Sequence, residues 1–427
     1  MKKILFFIIL TAFFGTLAAC KDSNDAPDSN DLENHSNQIV LDWNLAAFET
    51  MSGATADHTL LVSRVTAMTH LAMHDALNAI APRFQTYAFH QKDSLADPVA
   101  AVASAAYEVL ATSFPDKKSM LDGRLAASLA QVPEGSGKSK GIELGKKAAA
   151  AILALRKDDG ALQDPISAVP PSNGQAGVYQ AVPPFDFVFA PHWRTMQTFS
   201  LEKPDQFRIE PMPALNSPAY TQAYEEVKRI GQKGSLYRTA EQTGIAKFWY
   251  EYSEIGWNRV TRTVAADRKL GLLSTARLFA LVNIALADAY TAGWDSKFHY
   301  NFWRPYTAIR GAESDGNPNT EADITWEPGE PTPPVQDYPS THSALGNAAA
   351  AVLAGILGDS VTFTMTSNTA NPAGATRTFS RFSQAADENA ESRVLAGIHF
   401  RFSCEKGQEL GGKIGLWTLE HHLKPLN

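Results

Sequence analysis

Apolar positions recur at steps of three and four residues along most of this chain, and they alternate almost nowhere. Between Trp43 and about Leu155 the pattern is helical, with Leu60, Leu61, Val65, Met68, Leu71, Met73, Ala76 and Ile80 recurring at three- and four-residue steps. Alanine-rich stretches at 99–112 and 144–155 predict further helices, whose small side chains let neighbours approach closely. Residues 157–218 break the pattern. Pro and Gly recur there, and Phe185, Phe187, Phe189 and Trp193 form an aromatic cluster that has to pack somewhere. A loop this long in a compact protein is expected to be a functional cover or rim. Helical spacing returns over about 219–304, in SALGNAAAAVLAGIL, and over about 385–423, with loops expected at 311–339 and about 360–380. There is no period-two run of useful length and no internal repeat. The expected fold is all-α, and at 427 residues two packed helical bundles are expected rather than one core.

The first residues carry a different signal. Lys2 and Lys3 precede an apolar stretch from Ile4 to Ala19, which ends in small residues before Cys20, the order of a secretory signal. A membrane span is the alternative, but a stretch interrupted by Thr11, Gly15 and Thr16 is short for one. The residues before Cys20 resemble the bacterial lipobox. That implies a signal peptide over 1–19, lipid on Cys20 and an exported lipoprotein of the cell envelope, held to a membrane. Residues 21–38 are polar and acidic, so a flexible tether is expected over about 20–40, with the catalytic region over 41–427.

Charge and cysteine usage narrow the field. The formal net charge is −7 and no long Lys/Arg run occurs, so nucleic acid is not an expected partner. An anion site must therefore be a local pocket. Cys20 and Cys404 are the only cysteines. With Cys20 acylated no disulfide framework is possible, and Cys404 is expected as a small buried side chain. His70 and His74 lie at i and i+4, a zinc-binding spacing on a helix. No Glu follows His70 and no third ligand is near, so these histidines are expected to serve packing.

Three segments in the C-terminal half carry chemistry together. In KFHYNFWRP, Lys297 and Arg304 are seven apart and would share one face if a single helix carried both; Pro305 is expected to end that helix at Arg304. In YPSTHSALG, Ser340 is a credible N-cap, so Thr341 and His342 fall in a first turn whose free N–H groups and dipole favour an anion. In SRVLAGIHFRF, Arg393 and His399 are six apart, about 120° round a helix, and could flank one ligand. Alone, each segment also fits a solvated basic face, an incidental capping histidine or a buried core histidine. Together they offer three cations, a hydroxyl, a helix N-terminus and two histidines, a set suited to a tetrahedral oxyanion and to proton transfer.

Lys with Arg-Pro seven positions on, then Pro-Ser-x-His, then Ser-Arg with His six positions on, resembles the signature of the vanadium haloperoxidases and phosphatidic acid phosphatases. ARLFALVNIALADAYTAGWDSKFHYNFWRP and THLAMHDALNAI are similar to the haloperoxidase branch, and the likeness runs from about residue 43 to the end, with the oxyanion site within about 240–427. The resemblance implies vanadate, or phosphate in the same place. It implies that His399 bonds the metal and that Lys297, Arg304 and Arg393 neutralise its oxygens. Ser340 and the Thr341 amide would donate to it, Trp294 would stand beside it, and His342 would exchange protons. Glu251 would pair with one of the arginines.

Three positions depart from the pattern. Thr341 stands where glycine is usual. Ser403 stands four after His399, where an orienting aspartate is common, with Glu405 as a possible substitute. Val335 stands seven before His342, where Phe or His is frequent. The resemblance implies peroxide-driven oxidation of halide by hydrogen peroxide, with hydrolysis of a phosphate monoester through a phosphohistidine as the alternative. A phosphate-binding surface lipoprotein is the non-enzymatic reading, and a homo-oligomer is compatible with all three.

Overall fold

The computed structural model describes residues 32–50 and 58–426. Helices account for nearly all of its regular structure. In the N-terminal half these are α1 (Gln38–Thr50), α2 (Thr59–Ile80), α3 (Pro98–Ser113), α4 (Lys118–Leu129) and α5 (Ser136–Leu155). After the long loop come α6 (Pro218–Ile230), α7 (Ala240–Phe248), α8 (Ser253–Asp267), α9 (Leu272–Tyr300) and the short α10 (Pro305–Arg310). The last three are α11 (Thr341–Leu357), α12 (Phe382–Leu395) and α13 (Arg401–His421). The expected all-α class and its two bundles are present, but the bundles share α9. That helix packs on α2 on one side and on α11 and α13 on the other. It is apolar and long enough to cross a membrane, yet 89% of its most apolar stretch is buried inside the protein.

Small residues set the spacing where the site forms. Gly407, Gly411 and Gly415 recur every fourth residue along α13. A Cβ at these positions would lie 2.3 Å from the Ser340 carbonyl, 2.0 Å from that of Ala344 and 2.6 Å from that of Ala348. Only glycine lets α11 lie this close, and that contact seats the first turn of α11 deep in the body.

Several expectations need correction. The expected tether does not reach residue 40, because Leu32 is 1% exposed and Asn37 donates to the Ala265 carbonyl and to Thr275. Residues 32–40 therefore belong to the packed body. Cys20 and residues 1–19 lie outside the described residues. The segment expected as a loop at 360–380 contains an antiparallel hairpin, β3 (Phe363–Thr366) with β4 (Thr376–Phe379), and a second pair, β1 (Ile166–Ala168) with β2 (Phe187–Phe189), lies in the long loop. These strands are three or four residues long, too short to leave a period-two signal. The long loop does act as a rim. Trp193 is fully buried, the Phe189 N–H donates to the Pro334 carbonyl, and Tyr179 and Trp303 exchange backbone bonds across it with Asn301 and Gly177.

His70 and His74 are packing residues in a crowded core. Nε2 of His70 lies 2.7 Å from Asn44 and its ring stacks on Phe279, while Nε2 of His74 meets the Gln85 carbonyl at 3.0 Å. Burial pushes them down to about 3 and about 4, so both are neutral at physiological pH.

Candidate functional site

The three cations expected at the site reach it from different local structures. Lys297 lies in the last turn of α9. The helix then ends at Asn301, which takes the left-handed conformation (φ 48°) that Asn tolerates, and its N–H caps the Lys297 carbonyl. Lys297 and Arg304 are thus not on one helix as expected. Arg304 is instead the N-cap residue of α10, with Pro305 at the first helical position. The two side chains still meet on one loop. Lys297 Nζ donates to the carbonyls of Gln336 (2.6 Å) and Asp337 (2.9 Å), and Arg304 Nε donates to that of Val335 (2.7 Å).

Arg393 and His399 are likewise not on a common helix. The Gly397 N–H bonds the Val394 carbonyl and the Ile398 N–H bonds the Arg393 carbonyl, a Schellman stop with glycine at φ 78°. A Cβ at Gly397 would lie 2.2 Å from the Gly231 carbonyl oxygen, so no other residue fits. The stop releases His399 into the break between α12 and α13, beside Arg304, whose Nη1 is 3.0 Å from His399 Nε2.

Lys297, Arg304 and Arg393 are each 1% exposed. Burial lowers the pKa of all three, Arg393 to about 10. The same three charges, added to burial, hold His342 and His399 well below the ordinary histidine range, so both rings are neutral. That shared influence marks one pocket. Its carboxylate is Asp337, fully buried and raised to about 7 by burial, with Arg304 and Lys297 pulling it back.

Asp337 was not anticipated from the sequence. Its Oδ1 lies 2.9 Å from His399 Nδ1 and 4.0 Å from Arg304 Nη1. It occupies the orienting role that Ser403 leaves open. Ser403 Oγ donates instead to the Asp337 carbonyl at 3.0 Å, and Glu405, the proposed substitute, is exposed. The hint in the sequence was an acidic residue just upstream of Pro-Ser-Thr-His, in VQDYPS. With Nδ1–H turned to Asp337, Nε2 of His399 is the lone-pair nitrogen, facing Arg304.

The α11 N-terminus supplies neutral donors. Ser340 caps the helix, accepting from the Ser343 amide (3.4 Å) and the Ser343 hydroxyl (2.9 Å), which leaves its own O–H proton free to donate. Thr341 is helical, so its amide is one of those a helix start leaves open. Its methyl is accommodated because Gly293 of α9 lies opposite, where a Cβ would sit 3.4 Å from Thr341 Cγ2. The exchange of glycine for threonine thus keeps the backbone donor.

Two expected site residues are engaged elsewhere. The Trp294 indole N–H donates to the Phe189 carbonyl at 3.2 Å, so Trp294 is part of the wall and not a donor to a ligand. Glu251 pairs with an arginine, but with Arg259 (2.7 Å) rather than with any of the three site cations. Cys404 is buried and its thiol is pushed up to about 12, which makes it inert.

The mostly helical body thus brings three buried cations and two neutral imidazoles into one pocket, a set suited in charge to a multiply charged oxyanion. Comparison with known proteins narrows this further. The model of the VCPO second helical-bundle domain matches residues 277–427. Vanadium chloroperoxidase of Curvularia inaequalis is 26% identical over 411 aligned positions, which take in 75% of this chain and 66% of that protein's length. The crystal structure of the first bacterial vanadium-dependent iodoperoxidase superposes with a TM-score of 0.77 at 25% identity, covering 92% of this chain and 98% of that one. A holo-type bacterial vanadium-dependent chloroperoxidase superposes with a TM-score of 0.68 at 16% identity, covering 91% and 98% of the two chains. The C-terminal part of the chain, residues 277–427, is thus similar to the VCPO second helical-bundle domain, and the fold as a whole is similar to that of the bacterial vanadium-dependent iodoperoxidase.

Proposed function

We propose that the protein is a vanadium-dependent haloperoxidase that binds vanadate against His399. One observation carries this reading: three buried cations share a pocket in which the fully buried carboxylate, Asp337, is turned to the histidine. The excess of buried positive charge is costly by itself and would be offset by a multiply charged anion. Arg393 Nε is buried without a partner, and the Ser340 hydroxyl proton and the first α11 amides are free. This donor set fits vanadate, and it fits phosphate equally well in charge and shape.

His399 would hold the metal through Nε2, with Asp337 keeping the proton on Nδ1. Lys297, Arg304 and Arg393 would balance the charge of the oxygens, and Ser340 O–H and the Thr341 amide would fix their orientation. When bound, vanadate supplies a Lewis-acidic centre at which hydrogen peroxide becomes reactive toward halide without a change of metal oxidation state. His342, neutral in the resting protein, would take a proton from the incoming peroxide and return it to the departing oxygen. We also propose export and lipid anchoring at Cys20, on the strength of the N-terminal sequence pattern.

The test is purified protein with and without orthovanadate, assayed for peroxide-dependent iodide oxidation and for p-nitrophenyl phosphate hydrolysis. Iodide is the first halide to try because the iodoperoxidase is among the similar structures. Vanadate-dependent iodide oxidation is expected. Phosphate ester hydrolysis without it would instead favour the phosphatase chemistry of the wider superfamily.

A further inference from the structure

His342 and Arg393 come from different helices, yet both rest on one short stretch of backbone. The turn joining α7 to α8 offers the Trp249 carbonyl to Arg393 Nη1 and the Glu251 carbonyl to His342 Nε2, each at 3.1 Å. Between them Tyr250 lays its ring against the Arg393 guanidinium, 5.5 Å from its centre. A carbonyl only accepts, so His342 must carry its proton on Nε2, and Nδ1 becomes its lone-pair nitrogen. That makes Nδ1 the atom able to take a proton.

The turn is itself gripped. The Glu251 side chain is 4% exposed, receives Arg259 Nη1 at 2.7 Å and Nη2 at 3.2 Å, and accepts the Asn368 amide at 3.0 Å. Arg259 also donates to the Thr366 carbonyl and to Asn368 Oδ1, so the end of the β3–β4 hairpin is fastened to the same carboxylate. Gly256 closes the remaining side, because a Cβ there would lie 2.9 Å from Glu251 Oε1. Four constraints on one carboxylate fix the carbonyl of the same residue, two bonds beyond its Cα.

We propose that Glu251, held by Arg259 and Asn368, is the positioning residue that sets the tautomer and orientation of His342. The proposal rests on the reading of His342 as the proton-exchanging group. The contrary view is that the ion pair only fastens the hairpin to the body. In that case its loss would lower stability and leave His342 unchanged.

The deciding measurement is a long-range 1H–15N spectrum of vanadate-free protein labelled at histidine, with His342 assigned by comparison with His342→Gln. In the wild type His342 should be neutral and protonated at Nε2. Arg259→Met and Gly256→Ala should each give mixed tautomers and lower turnover by about 10- to 100-fold, the range typical when an outer residue that orients a reactive one is lost. Orthovanadate Kd should change less than turnover, because Arg393 is held through Trp249 and Tyr250 rather than through Glu251 itself, and Arg259→Lys should recover part of the loss. A wild-type His342 protonated at Nδ1 would overturn the proposal. So would wild-type tautomer and turnover in folded Arg259→Met or, should that variant not fold, in Gly256→Ala. A wild-type protein that binds no vanadate would sink the haloperoxidase reading, while the spectrum would still decide the role of Glu251.

Discussion

Replacing Arg393 with methionine separates a binding cation from a structural one. Arg393 is 1% exposed, and its one hydrogen bond among the described residues is to the Trp249 carbonyl. Burial brings its pKa from 12.5 to about 10, a penalty on the charged form of about 3 kcal/mol at 1.4 kcal/mol per unit. Methionine removes that penalty and loses a charge-assisted hydrogen bond of about 1.5–3 kcal/mol. The two nearly cancel, so vanadate-free Arg393→Met should unfold within about 1 kcal/mol of the wild type. Binding should respond very differently. Two charge-assisted hydrogen bonds to the oxyanion are worth about 3–6 kcal/mol, or about 10²- to 10⁴-fold in Kd. Thermal unfolding across an orthovanadate series reads both quantities. Vanadate at about 100 times the wild-type Kd should stabilise the wild type by about 2.7 kcal/mol and the variant by about 0.4 kcal/mol or less at the same concentration. An arginine kept for structure would behave in the opposite way. Destabilisation of about 3–5 kcal/mol without vanadate, combined with an unchanged vanadate response, would refute the reasoning.

Further predictions concern the carboxylates and the helix stop. Asp337→Asn keeps the shape beside His399 but replaces an acceptor-only carboxylate with an amide that can also present N–H to Nδ1, so the tautomer is no longer enforced and vanadate affinity should fall about 10- to 100-fold by titration; unchanged affinity would count against the assigned role. Glu254 is fully buried, bonded by Tyr290 and Thr59, and burial raises it from 4.5 to about 7. The unfolded chain therefore releases this proton at lower pH than the folded one, and the group's contribution to stability falls as pH rises from about 4.5 to about 7. Glu254→Gln should match the wild type near pH 4 and exceed it by about 3 kcal/mol at pH 8 in denaturant titrations; a constant difference across that range would contradict this. Gly397→Ala should cost more than about 3 kcal/mol, because the left-handed φ and the 2.2 Å approach to Gly231 both exclude a side chain. A near-neutral denaturation midpoint would mean that the break before His399 is loosely held.

Much of this site was legible because its three segments are local patterns. Proline at 305, the Ser340 cap and the paired basic and histidine residues each announce themselves within nine or so positions. What failed was the assumption that helical spacing continues through them. The stop at Gly397 is dictated by the backbone of Gly231, which is remote in sequence, and no pattern around His399 encodes that approach. Asp337 was missed for a related reason: its carboxylate reaches His399 from the loop before α11, so it does not fall at a fixed offset from the histidine. Ser403 at the expected offset was the clue that the carboxylate had to come from elsewhere. Trp294 read as a ligand neighbour through the family resemblance, whereas the Phe189 carbonyl that takes its N–H belongs to the long loop. The β3–β4 hairpin left no pattern because its strands are four residues long.

The central claim is that His399 is the protein's bond to the metal and His342 its proton-exchanging group. Vanadate binding by equilibrium dialysis, run beside iodide oxidation on His399→Ala and His342→Ala, tests it most directly. His399→Ala should lose both binding and turnover. His342→Ala should keep much of the binding, since Lys297, Arg304, Arg393 and the α11 N-terminus remain, while its turnover falls by about 10²- to 10⁴-fold. The reverse pattern, with binding lost in His342→Ala and retained in His399→Ala, would contradict the account.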